Sequence, residues 1–352
     1  MILKMKQILL VLIVSLSLVA CKSSMGSKSQ VQGSHVIAFY NLENLFDTIN
    51  DAGVRDGEFT PSGSKEWTSE RYESKLVNMA KVIADIGGDQ GMPGPSIIGL
   101  CEMENRNVLE DLIKKQSLKD QNYNIVHVDS PDKRGIDVAL LYKANVFEVQ
   151  QTHAYPLLVL DSDSGKRVFT RDQLLVSGLL GGDKIHVIVN HWPSRYGGSD
   201  SSKPFRKAAA LLNRHIIDSL LNIDKHAKII TMGDLNDNPT DESVLVHLRA
   251  HANRDQLKKD DLFNPLAINF SNKKGTLYYR GNWDLFDQMV ISQGWLRGKD
   301  GYGYDSAYIY YKPYLLQQEG KYKDYLLRTY GGKDYLNGYS DHLPVYMVVS
   351  AN

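Results

Sequence analysis

The chain has 352 residues with 41 Lys plus Arg against 41 Asp plus Glu, 42% hydrophobic and 23% charged, which excludes a disordered or fibrous protein. A formal net charge of zero removes any argument for nucleic-acid binding from a global basic field. With only two cysteines, Cys21 and Cys101, the fold must rest on its core and not on a disulfide framework.

In chain order, Lys4 and Lys6 precede the apolar run from Ile8 to Val14, and Leu18-Val19-Ala20-Cys21 closes the segment. Residues 1–20 therefore read as a secretory signal peptide. The closing tetrapeptide resembles the bacterial lipobox, which implies that Cys21 becomes the lipidated first residue of the mature chain. Residues 21–34, rich in Ser and Gly, read as a flexible tether with a reach of about 20 Å. No later stretch approaches the roughly 18 apolar residues of a membrane span. The expected location is the bacterial cell envelope, periplasmic or cell-surface facing, with the membrane met through the lipid anchor only and the body a monomer. Cys101, in an apolar run, reads as a buried inert thiol.

Residues 35–352 read as one domain in which short β-rich runs alternate with amphipathic helices. Strands are expected at 36–40, 96–101, 123–128, 137–142, 174–180, 184–190, 228–232, 286–292 and 345–349. Helices are expected at 70–86, 108–115 and 204–221. In the last, Ala208, Leu211, Leu212, Ile216 and Leu220 form an apolar face, with Arg206, Asn213 and Arg214 opposite. Many strands with few long helices favour a layered α/β or α+β sandwich over a doubly wound nucleotide fold. Of the 20 tyrosines, 12 lie between Tyr302 and Tyr346, interleaved with Lys312, Lys321, Lys323 and Arg328. They fit either a stacking platform or, by strand preference, a β-rich extension covering its own small core.

Small polar groups fall repeatedly at or just after the ends of expected strands. The segments are Phe39-Tyr40-Asn41-Leu42-Glu43-Asn44, Gly99-Leu100-Cys101-Glu102-Met103-Glu104-Asn105, Val189-Asn190-His191-Trp192-Pro193-Ser194-Arg195, Met232-Gly233-Asp234-Leu235-Asn236-Asp237, Leu285-Phe286-Asp287-Gln288 and Ser340-Asp341-His342-Leu343-Pro344. Strand ends on one sheet edge can converge on one site. All six segments in this order resemble the endonuclease/exonuclease/phosphatase superfamily, the DNase I-like metal-dependent phosphodiesterases, over nearly all of residues 36–350. That resemblance implies a four-layer α/β/β/α sandwich, DNase I-like, with the site at one edge. It also implies a Mg²⁺ (or Mn²⁺) cofactor, suited to oxygen donors and to neutralising phosphoryl charge.

Glu102, directly after an apolar strand, is the first metal-ligand candidate. By resemblance Asn41 and Asp341 join it, Asp234 orients or deprotonates the attacking water, and Asn236 hydrogen-bonds phosphate or nucleophile. Likewise His342, oriented by Asp287, handles charge or protons, and His191 donates a proton to the leaving oxygen. Glu104 reads as loop structure or helix capping. Asp137, in Arg134-Gly135-Ile136-Asp137, is either a support for His191 or a simple strand-start residue. Arg195 and Arg206 are candidate phosphate-binding cations, while Lys207 and Arg214 read as a solvated face.

The expected function is hydrolysis of phosphate esters, first as a secreted nuclease or phosphodiesterase with nucleic acid as substrate. Neutral charge keeps a lipid headgroup, an inositol phosphate, a nucleotide or a phosphomonoester open as substrates of the same site. A non-catalytic surface binding module is the third reading. A vestigial site should have lost at least one of Glu102, His191, Asp234, Asn236, Asp287, Asp341 and His342, and all are present.

Overall fold

The computed structural model describes residues 32–161, 164–297 and 300–352. The segment expected to be a signal peptide, Cys21 and most of the expected tether lie outside the described residues. Two large mixed sheets pack face to face. The first contains β1 (Ser34–Leu45), β2 (Ile97–Met103), β3 (Tyr123–His127) and β4 (Asp137–Lys143). The second contains β5 (Phe147–Tyr155), β6 (Gln173–Leu180), β7 (Asp183–His191), β8 (Lys228–Asp234), the two-residue strands β9 (Ala250–His251) and β10 (Leu262–Phe263), and β11 (Asp287–Ile291). The last two strands, β12 (Tyr302–Ile309) and β13 (Val345–Ala351), return to the first sheet. The strand orders are β12-β13-β1-β2-β4-β3 and β9-β10-β11-β8-β7-β6-β5.

Each sheet is centred on a parallel pair, β1 with β2 and β7 with β8, flanked by antiparallel neighbours. The side chains that alternate inward from both sheets form the central core: Ile37 and Phe39 on β1, Val187 and Val189 on β7, Ile230 and Met232 on β8. The opposite faces are covered by helices. On the first sheet, α1 (Ser69–Asp85) and α2 (Arg106–Ile113) lay Leu76, Met79, Ile83, Leu109 and Leu112 over Ala38, Tyr40, Ile98 and Leu100. On the second, α3 (Ser199–Ile223) lays Ala209, Ala210, Ile216 and Ile217 over Ile188, Ile229 and Val290. The layers therefore run helix, sheet, sheet, helix, as the DNase I-like expectation required. Among the described residues no helix is long and apolar enough to cross a membrane.

The orientation of α3 corrects the sequence reading. Arg206, Asn213 and Arg214 are buried while Leu211 is exposed, so the polar residues face inward. A buried hydrogen-bond network compensates them: Asn213 Nδ2 donates to Gln173 Oε1 at 3.0 Å and to Asn190 Oδ1 at 2.7 Å. Two strands escape apolar patterning. One is β5, whose residues are mostly exposed, as befits a sheet edge, and the other is β12. The tyrosines from Tyr302 onward mainly cover the outer face of the first sheet and one another, as in Tyr314 on Tyr339 and Tyr308 on Tyr346. Tyr308, Tyr311 and Tyr322 stay exposed.

Candidate active site

Three site residues stand side by side at one end of the second sheet. Asp234, the last residue of β8, pairs in register with His191 of parallel β7 and with Asp287 of antiparallel β11. Adjacent registered residues present their side chains to the same face. That face looks onto the ends of β1 and β2, which supply Asn41 and Glu102. At Glu102 the pairing of β2 slips against both neighbours, so the residue bulges out of the ladder. Its φ of 60° and the φ of 51° at Asn236 put both residues in the left-handed region that non-glycine residues rarely occupy. Glu43 and Asn44 share that conformation. Such backbone costs about 1–3 kcal/mol per residue and is tolerated where the surroundings over-determine it.

Asp234 is the hub. Its Oδ2 accepts from Asn41 Nδ2 at 3.2 Å and lies 3.7 Å from His191 Nε2 and 3.9 Å from His342 Nε2. Its Oδ1 accepts from the Asn236 backbone N–H at 2.9 Å. Burial pushes the carboxyl up to about 7, Asp287 and Glu102 adding to the rise while His342 and that N–H oppose it.

The two imidazoles are driven in opposite directions. Burial works against charge on His342, but Asp287, Asp234 and Asp341 overcome it and hold the ring well above its ordinary value. Asp287 Oδ2 lies 2.6 Å from His342 Nδ1. The His342 N–H donates to Ser340 Oγ, which in turn donates to the Asn41 carbonyl. His191 is held well below its ordinary value by burial, reinforced by Arg171, Arg134 and His342. Its Nε2 lies 3.8 Å from Glu102 Oε1, and its Nδ1 is buried without a hydrogen-bond partner.

Glu102 Oε2 accepts from the Asn44 N–H at 3.0 Å, leaving Oε1 between His191 and Arg134 Nη2, the latter at 3.5 Å. Asp341 is clasped by Arg328 Nη2 at 2.8 Å. Arg328 Nε donates to Glu43 at 2.7 Å, and Glu43 lies 3.7 Å from the fully buried Lys75. Burial pulls Lys75 down to about 8 against the opposing pull of Glu43, Asp341 and Glu102. This wall opens onto a cavity of about 240 Å³ lined by Glu43, Asn44, Phe59, Lys65, Arg328 and Tyr330.

A divalent cation fits this centre. Oxygen donors gather in it: Asp234 and Asp287 each bring a carboxylate oxygen within 4.8 Å of the other and of a His342 ring nitrogen, and Glu102 Oε1 lies 3.8 Å from His191 Nε2. Glu102 and Asp341, with Asn41 beside them, are the residues that would hold it.

Eight of the ten expected catalytic, metal and substrate residues therefore converge, and two do not. Arg206 is fully buried, its Nε 2.7 Å from Asp237 and its Nη atoms on Ser202, Ser199 and Ser194, so it cannot reach a phosphate. Arg195 is turned to the Asn236 carbonyl, Asp237 and Asp241, with its guanidinium over the Phe286 ring. Both cations brace the loop after β8 from behind. Asp137 bonds His127 at 2.9 Å and the Ser130 N–H at 2.7 Å, and does not support His191. The cap of α2 is Asn105, whose Oδ1 accepts from the Val108 N–H, and not Glu104. The cations that do face the site are Arg134 and Arg328. Their only sequence signal was proximity to motifs read for other residues.

A sandwich of this topology, with acids and histidines gathered at the ends of its central strands, defines a metal-assisted phosphoesterase. Residues 36–351 match the Endonuclease/Exonuclease/phosphatase family. The chain belongs to that family and is a phosphoric ester hydrolase of the divalent-metal-dependent kind.

Solved structures with the same fold include an endonuclease/exonuclease/phosphatase family protein from Bacteroides thetaiotaomicron, at 15% identity and a TM-score of 0.53, covering 92% of this chain and 97% of that one. D. rerio TDP2 complexed with a single-strand DNA product is 12% identical with a TM-score of 0.52, covering 90% and 99%. A mannosyl-6-phosphatase from Bacteroides thetaiotaomicron is 14% identical with a TM-score of 0.51, also covering 90% and 99%. No curated protein matches the chain by sequence.

Proposed function

We propose that this chain is a Mg²⁺-assisted phosphodiesterase that cleaves nucleic acid, exported by its leader and tethered to the cell envelope through Cys21. The observation that carries the reaction is the Asp234 hub, a buried carboxylate 3.7 Å from His191 Nε2 and 3.9 Å from His342 Nε2. Asp234, poised near neutrality, takes a proton from the attacking water as the new O–P bond forms. His342, charged and oriented by Asp287, neutralises a phosphoryl oxygen. Its Nε2 is 3.9 Å from Asp234 Oδ2, so the base and the cationic ring act as neighbours. Asn236 and Asn41 fix the Asp234 carboxylate, one by its backbone N–H and one by its side-chain amide. His191 Nε2, 3.7 Å from Asp234 and 3.8 Å from Glu102, serves the leaving oxygen, which departs as the P–O bond breaks and takes a proton from solvent by way of that imidazole. A bound divalent cation would supply charge neutralisation on the Glu102 side.

A compact phosphomonoester is the second reading, favoured by the small cavity beside Arg328 and Lys65. The purified protein should be offered plasmid DNA, RNA, sphingomyelin, an aryl phosphodiester and an aryl phosphomonoester, with Mg²⁺, Mn²⁺, Ca²⁺ or EDTA. Metal-dependent nicking that disappears in His342→Ala and Asp234→Ala, with folding retained, is the expected result. Turnover of the monoester alone would replace the substrate, and wild-type rates in both variants would remove the mechanism.

A further inference from the structure

We propose that Asp51, Asp56 and Glu104 form a Ca²⁺ site at the root of the loop that follows β1, separate from the catalytic centre. One carboxylate oxygen from each of the three lies within 4.8 Å of the others. Ca²⁺ suits such a site because it takes about six to eight oxygen ligands in flexible geometry, whereas Mg²⁺ demands a near-ideal octahedron and gives up its waters reluctantly.

Proximity alone would describe a solvated acidic patch, but two of the three acids are inside the protein. Asp56 is 1% exposed and Glu104 is 6% exposed. Each spends one oxygen on the loop backbone: Asp56 Oδ2 accepts from the Asp51 N–H and Glu104 Oε2 from the Asp47 N–H, both at 2.7 Å. Each keeps its other oxygen, Asp56 Oδ1 and Glu104 Oε1, buried and without a hydrogen-bond partner. Orphaned carboxylate oxygens in a protein interior are costly and call for a cation. Among the described residues no lysine, arginine or histidine forms an ion pair with any of the three. The neighbouring His127–Asp137 pair shows the contrast, since there an imidazole at 2.9 Å already answers the carboxylate.

The loop has a structural task that such an ion would serve. Its Arg55 N–H donates to the Lys133 carbonyl at 2.9 Å, and Val54 packs so closely on Gly135 that a β-carbon there would sit 3.1 Å from it. The turn held in this way presents Arg134 to Glu102. Ca²⁺ would thus pin the loop to the end of β2 and brace the catalytic wall from below.

The test is calorimetric titration of CaCl₂ into the chelator-stripped protein carrying Glu102→Gln, which weakens the catalytic centre by one of its carboxylates, with the melting temperature followed in parallel. One Ca²⁺ per chain and a higher melting temperature are expected, with MgCl₂ failing to substitute. Asp51→Asn, at an exposed position, should weaken binding by roughly tenfold or more through loss of one ligand charge, with melting in EDTA unchanged. No uptake at about 1 mM Ca²⁺, or full-strength binding in Asp51→Asn, would overturn the proposal.

Discussion

In a chelating buffer, Asp234→Asn removes a titration that weakens the fold as the pH rises. The Asp234 carboxyl is 2% exposed and is pushed up to about 7 in the folded chain. An unfolded aspartate titrates near 3.9. The folded state therefore binds this proton more tightly. Its contribution is fully present below the unfolded value and is lost as the pH climbs to about 7. The gap corresponds to about 4 kcal/mol. Asparagine keeps an acceptor for the Asn236 N–H and cannot titrate, so the variant lacks this loss. Urea unfolding at about pH 4 and about pH 8, both in EDTA, should show the variant gaining about 4 kcal/mol on the wild type between the two. The raised His342 value has the same sign, and its contribution begins to be lost above about pH 6.5. A wild-type-minus-variant difference that stays flat across the window would show that burial does not strain Asp234, and would remove it as a base poised near neutrality.

Two substitutions separate cations that meet substrate from cations that brace the loop. Arg134→Gln, at a side chain 44% exposed and 3.5 Å from Glu102, should raise KM by about tenfold, the value of one charge-assisted hydrogen bond, without moving the melting temperature. An unchanged KM would place Arg134 outside the substrate's reach. Arg206→Met, at a fully buried side chain, should cost about 3 kcal/mol in urea unfolding while KM stays unchanged, because Asp237 loses a buried partner. A raised KM with intact stability would return Arg206 to the phosphate-binding role.

Strands with buried faces were legible because period-two and continuous apolar runs have no other outlet in a sandwich. Thus β1, β2, β7, β8 and β13 overlap the expected segments, whereas β5, exposed along most of its length at a sheet edge, carries no such pattern. The acids and histidines of the centre were legible because each sits at or beside the end of an apolar strand: His191 and Asp234 close β7 and β8, Asp287 opens β11, and Asp341 and His342 lead into β13. Arg206, Asn213 and Arg214 were misplaced because helical spacing groups residues by face without saying which face turns inward. A polar network supplied by Gln173 and Asn190 on other strands reversed the usual choice. Of the two readings of Asp137, the strand-start one holds, since it opens β4; its partner, His127, sits on neighbouring β3, a pairing set by sheet order. Arg134 and Arg328 lay in segments read for other residues, and only the fold shows them turned to Glu102 and Asp341.

The first strand of the fold lies between β2 and the last strand, and Ser340 Oγ reaches the Asn41 carbonyl at 2.7 Å across 299 residues of chain. Closing so long a loop is entropically late work, since it is rewarded only when distant contacts form. His342, whose backbone N–H donates to Ser340, and Asn41, whose amide donates to Asp234, meet only at that closure. Catalytic power therefore arrives with the final seam of the molecule. An unfinished or C-terminally clipped chain, however well its helices and inner strands have formed, is a disarmed hydrolase.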